Sequence, residues 1–265
     1  SDGYHMYRIL YKNLPINLVF SLLILTSCTQ STKLNNDVSL ENLGNKAYER
    51  QDYETAQTYY KQALQSKPTI SAYEGLAQTY EAQNSWKEAV EIWTAISKID
   101  NLTNLQLDKF KLKAAKNHAR LGNASQARNY LNNINTNSIL DSREGKLVSG
   151  LTSVLEGRET HAINSFQDIL TQTPEDQSVK INLALTYLVF DKLDTAIALF
   201  NEMPNNQVAK LNKSIALVLK GKEKEALALA TALQGENGAK KTIQYARDLK
   251  NIPPTSRARH LFGVK

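Results

Sequence analysis

The chain has 265 residues, 42% of them apolar, and a formal net charge of +6. Its single cysteine, Cys28, leaves the rest without an internal disulfide or a thiolate metal site; His5, His118, His161 and His260 form no HxxxH or HExxH pair, and neither GxxxxGK[ST] nor GxSxG occurs, so no zinc, phosphate-loop or serine-hydrolase chemistry is indicated. The positive excess is concentrated in residues 238–265 (Lys240, Lys241, Arg247, Lys250, Arg257, Arg259 and Lys265 against Asp248), which leaves a neutral body unlike that of a nucleic-acid-binding protein.

Ser1 to His5 are given no structural role. Arg8 and Lys12 then precede a mostly apolar run from Leu14 to Leu25, which leads into Thr26-Ser27-Cys28. As a helix this run would cover roughly 18 Å, against about 30 Å for a hydrocarbon core, and it contains Pro15 and Asn17. A permanent span is therefore not expected, and residues 1–27 read as an export signal. Leu25-Thr26-Ser27-Cys28 resembles a bacterial lipobox, the alternative being an ordinary signal peptide with an incidental cysteine. The resemblance implies cleavage before Cys28, a diacylglyceryl group on its sulfur and a third acyl chain on the new N-terminus. One such chain holds only reversibly, and three should hold firmly. Thr29 stands where inner-membrane lipoproteins of Gram-negative bacteria often carry Asp. By that analogy the expected address is the outer membrane, with the domain facing the periplasm.

Residues 28–37 are polar and aperiodic, and they read as a tether. From there a pattern recurs. Leu40, Leu43, Gly44 and Ala47 precede Ala56-x-x-x-Tyr60-x-x-Ala63 and Pro68. Leu76-Ala77-x-x-Tyr80 precedes Ala89-x-x-x-Trp93-x-x-Ile96, and Ala114-Ala115-x-x-His118 precedes Ala127-x-x-x-Leu131-x-x-Ile134. Gly150 precedes Ala162-x-x-x-Phe166-x-x-Ile169, Leu183-Ala184-x-x-Tyr187 precedes Ala196-x-x-x-Phe200-x-x-Met203, and Leu217 precedes Ala226-x-x-x-Ala230-x-x-Leu233. The six marker alanines are spaced 33, 38, 35, 34 and 30 residues apart. This resembles the tetratricopeptide (TPR) repeat, a pair of antiparallel helices of about 34 residues.

The expected fold is all-α: an α-solenoid, a right-handed superhelix of about six helix pairs over residues 38–237. A capping helix over 238–252 and an irregular basic tail over 253–265 should follow. A small marker residue lets two helices approach to about 8–10 Å, and the large residue four positions later fills the gap to the next pair.

The resemblance also places the inner surface. Transferring the family's groove positions gives a polar half, with Glu41, Asn45, Tyr48 and Glu49 in the first pair and Glu74, Gln78 and Glu81 in the second. The other half is apolar: Leu147, Leu151, Val154 and Leu155, then Ile181, Leu185, Leu188 and Val189, then Leu211, Ile215, Val218 and Leu219. Bare, this would be a larger patch than a monomer tolerates. Either the chain covers it, by closing on itself or by laying the Gly238–Asn251 helix in the groove, or an apolar partner segment binds there. The polar half reads as a solvated face, a basic-peptide site being the alternative. Glu41 stands where chaperone-binding TPR domains carry a basic clamp residue, which argues against a carboxylate clamp. The tail reads as a solvated end, with anionic lipid, a glycan or an acidic partner as alternatives.

A lipobox followed by six such pairs resembles the pilotins of bacterial secretins, most closely the TadD lipoproteins of the Flp (tight adherence) pilus, with PilF-type lipoproteins next. That resemblance implies a non-enzymatic scaffold that binds a secretin or another pilus component and assists its assembly in the outer membrane. The alternative is an adaptor for peptidoglycan enzymes or for outer-membrane protein insertion. No cofactor, metal, small-molecule substrate or nucleic acid is expected.

Overall fold

Six stretches of this sequence begin with Ser, Thr, Asp or Asn ahead of a helix-forming run, and each of those side chains caps a helix. The computed structural model describes residues 39–264, and the calls on the export signal, Cys28 and the 28–37 tether lie outside them. The first helices of the pairs are α1 (Leu40–Glu49), α3 (Ile70–Ala82), α5 (Asn104–Arg120), α8 (Arg143–Leu155), α10 (Gln177–Val189) and α12 (Gln207–Leu219). Their caps are Ser39, Thr69, Thr103, Ser142, Asp176 and Asn206, each accepting a backbone N–H from the first turn. At Thr103 the cap is reciprocal, because Gln106 accepts from the Thr103 N–H.

The second helices are α2 (Tyr53–Ser66), α4 (Trp86–Ile96), α6 (Ala124–Asn132), α9 (Glu159–Gln172), α11 (Leu193–Asn201) and α13 (Glu223–Lys250). A short α7 (Asn137–Leu140) lies between α6 and α8, and α14 (Pro254–Leu261) follows α13. No strand occurs among the described residues.

Most second helices start without a side-chain cap; only Asp52, ahead of α2, supplies one. What sets their direction is the turn before them. Each turn contains one residue with positive φ: Gln51, Asn84, Gly122, Gly157, Asp191 and Gly221. The residue after each donates its N–H to a carbonyl five positions back, from Asp52 to Ala47 through to Lys222 to Leu217, at 2.8 to 2.9 Å. This is the Schellman arrangement, which satisfies the last carbonyls of the first helix and turns the chain. Each positive-φ residue sits five positions ahead of a marker alanine, so turn and seam keep one phase.

All six marker alanines are fully buried, and Tyr60, Trp93, Leu131, Phe166, Phe200 and Ala230, four positions on, are buried as well. Two of those rings rest on glycine. A Cβ at Gly44 would lie 2.7 Å from the Tyr60 ring, and one at Gly150 would lie 2.7 Å from the Phe166 ring. The other side of Tyr60 meets Gly75 in the next pair. In the first pair, and between it and the second, the seam is an aromatic plate against bare backbone.

The region after the sixth pair differs from expectation in two ways. The helix expected from Gly238 is the second half of α13, which breaks at Gly235 (φ 73°, ψ 174°), a conformation suited to glycine, and then packs along α12 through Ile243, Ala246 and Leu249. The tail expected to be irregular is helical over Pro254–Leu261, and Leu261, Phe262 and Val264 are buried. The proline that cannot continue one helix is preorganised for the first position of another. Among the described residues no helix is long and apolar enough to cross a membrane.

Candidate functional site

The apolar inner positions of the first helices are not an open wall. Leu151, Val154, Leu155, Ile181, Leu185, Leu188, Val189, Leu211, Ile215 and Val218 are all buried, and Leu147 and Leu219 are partly so. Helix α14 packs on α8 and α10, and one apolar cluster joins Leu151, Leu185 and Leu188 to Ala258, Leu261, Phe262 and Val264. Of the two coverings weighed, the internal one is present: α14 lies over α8 and α10, and α13 lies along α12. The covering element over α8 and α10 is a segment that composition alone marks as basic and solvated.

Arg257 explains how a basic segment lies on an apolar wall. Its side chain is 6% exposed, and it ion-pairs with Asp191, the positive-φ residue of the fifth turn. Its Nη1 also lies 3.4 Å from the carbonyl oxygens of Leu188 and Val189, and its Nη2 lies 3.4 Å from that of Ile252. A guanidinium at the end of α10 thus lies at its last carbonyls, at the negative end of the helix dipole. Arg259 donates from Nη2 to the Gly122 carbonyl of the third turn at 2.8 Å, and a Cβ at Gly157 would lie 3.2 Å from Thr255 Cγ2. Beyond α14, Gly263 and Val264 line a recess with Gln83 and Trp86 of the second turn.

A small cleft of about 60 Å³, open to solvent, remains between α5 and α8. Its apolar lining includes Ala119, Leu147, Val148, Leu151, Phe166 and Phe262, and Lys116, Arg120, Arg143 and Glu144 also line it. These charges have partners within the fold: Lys116 reaches Glu81 at 2.8 Å and Glu144 at 3.8 Å, and Arg143 reaches Asp176 at 2.8 Å. Arg120 lies over the Trp86 ring at 5.6 Å.

The polar half is partly committed to structure. Glu41 accepts from Thr69 Oγ1 at 2.6 Å, and Asn45 Oδ1 accepts from Tyr60 Oη at 2.6 Å. Tyr48 meets Tyr53 edge to face at 5.6 Å. Glu74 is half-buried, while Asn45, Glu49 and Gln78 are exposed.

Glu81 behaves differently from a solvated acid. It accepts from Trp93 Nε1 at 2.9 Å, Asn117 Nδ2 at 2.6 Å and Lys116 Nζ at 2.8 Å. Burial pushes its pKa up, but the Lys116 charge and these three hydrogen bonds outweigh it and hold the carboxyl below its usual range. The chain of charges from Glu81 through Lys116 to Glu144 crosses three consecutive pairs. Sequence reasoning missed it, although acid, base and acid at inner positions of successive pairs were there to be seen.

His118 stacks on Tyr130 with ring centroids 5.4 Å apart, and burial pushes its pKa down. It is a packed, neutral ring. His161 lies 3.1 Å from an Arg158 guanidinium nitrogen on the surface. Among the described residues no three His, Cys, Asp or Glu side chains gather as a metal site.

With this geometry in hand, residues 42–96 match the tetratricopeptide repeat family. That stretch, α1 to α4, is a tetratricopeptide repeat segment. A tetratricopeptide repeat protein from Parabacteroides merdae superposes with a TM-score of 0.59 at 16% identity, covering 85% of this chain and 99% of that one. The APC/C hetero-tetramer Cut9–Hcn1 gives a TM-score of 0.59 at 19% identity over 78% of this chain. The match spans only 42% of that larger chain. At these identities the likeness is one of fold. None of the curated proteins compared matches the sequence. The inner faces of the first helices are the candidate site.

Proposed function

We propose that this chain is a lipid-anchored, non-enzymatic scaffold that holds a protein partner beside the outer membrane of a Gram-negative bacterium. The proposed partner is a secretin or another component of a Flp/Tad-type pilus or secretion complex. The reading is carried by one observation: the helix pairs stack in phase, and the inner face of the first two keeps Asn45, Glu49 and Gln78 exposed. The lipobox-like Leu25–Cys28 stretch supports the location, and tethering to a surface raises the effective concentration of a bound partner.

Photo-crosslinkers at Glu49 and Gln78 in living cells should capture the secretin. Capture of no envelope protein from either position would count decisively against this role. For the address, Cys28→Ser should move the protein from the membrane fraction to the soluble one; an unchanged distribution would remove the lipid anchor from the proposal.

A further inference from the structure

Residues 254–264 lie on the inner wall of α8 and α10, and two features show that their fit is imperfect. Arg257 is buried, yet its Nε has no hydrogen-bond partner, which leaves a costly orphan donor. Its ionic partner Asp191 is 64% exposed, so water competes for that pair. The segment also forms no helix pair. It is joined to α13 through Asn251–Pro253 and touches the array through one face, so it can lift away without separating any first helix from its second.

We infer that the inner wall of α8 and α10 is a docking site for a partner helix, and that residues 254–264 keep it closed as a built-in competitor. The partner chemistry is the one the resident displays: arginine, a small residue, then an apolar pair at i, i+1, i+4 and i+5, as in Arg257, Ala258, Leu261 and Phe262. The arginine caps α10, and the apolar pair enters the wall beside Leu151 and Leu188. This rests on the protein-binding reading above and names the partner's chemistry and its regulation. A partner lacking the arginine would leave Asp191 without its ion pair. One that also satisfied the Nε donor would out-compete the resident.

The test uses the full chain and a fluorescein-labelled peptide of residues 252–264 as the probe. Wild-type protein should bind the probe weakly, because most molecules are already closed. Arg257→Ala or Phe262→Ala within the chain should tighten probe binding about tenfold or more, since the accessible fraction of the site rises. The same Arg257→Ala change in the probe should weaken binding about tenfold. In the wild-type chain, excess probe should speed deuterium uptake over residues 254–264 and leave α8 and α10 protected. Equal or absent probe binding by wild type and variants overturns the proposal. So does loss of protection in α8 and α10 when the segment is weakened, because the segment would then be a fixed wall. The Glu49 and Gln78 crosslinks probe the other half of the array, so either experiment can fail without the other.

Discussion

Gln51 carries a φ of 61°, whereas Gly221 serves the equivalent turn at φ 86° with open space where a Cβ would be. The left-handed conformation costs an L-residue about 1–2 kcal/mol, and glycine's freedom in the unfolded chain returns part of that. Gln51→Gly should therefore raise stability by up to about 1 kcal/mol, and Gly221→Ala should lower it by about 1 kcal/mol or more, both read from urea midpoints at unchanged m. Shifts of the opposite sign would mean that the turns adapt. The glycines under the aromatic plates answer to a different force. Gly150→Ala presses a methyl into the Phe166 ring and should cost about 1–3 kcal/mol. Phe166→Leu in the same chain should make that cost less than additive, which a double-mutant cycle would show.

Glu81 joins three elements: α3 bears it, α4 offers Trp93, and α5 offers Lys116 and Asn117. Its folded pKa lies below the usual 4.5, so the unfolded chain binds more protons in acid. The stabilisation is complete above the unfolded value and is lost as pH falls from about 4.5 through the folded value. Glu81→Gln should flatten that part of the acid unfolding curve; an unchanged slope would show that Asp108 and Asp176, whose pKa values are also lowered, carry it instead. Elements of this kind were legible in the sequence to the extent that sterics dictates residue identity. The marker alanine was legible in all six pairs, and an aromatic four positions on marked four of them, with Leu131 and Ala230 in its place in the third and sixth. The turns were legible as places, yet their left-handed residues were not, since Gln51, Asn84 and Asp191 carry no glycine signature. Helix α14 was misread for two physical reasons: Pro253-Pro254 reads as a stop although Pro254 begins a helix, and an arginine reads as solvated although a helix end can bury it. That one error changed the picture of the site, since the residues named for the inner wall occupy it beneath a cover.

Across the whole molecule the core is uneven. A single continuous cluster runs from α5 to Val264, while the first two pairs rest on smaller ones around Tyr60 and around Trp93. In a stacked array each pair depends on its neighbours, so stability should grade along the chain. Deuterium exchange should be fastest in α1 and α2 and slowest in α10 and α12; uniform protection would mean that the array opens as one unit. The same asymmetry bears on biosynthesis. Residues 254–264 leave the ribosome after every surface they cover, and Arg257 reaches back 66 positions to Asp191. Until then the emerging chain displays an unsatisfied greasy flank, so the folded wall of α8 and α10 is completed only by the last residues to be made.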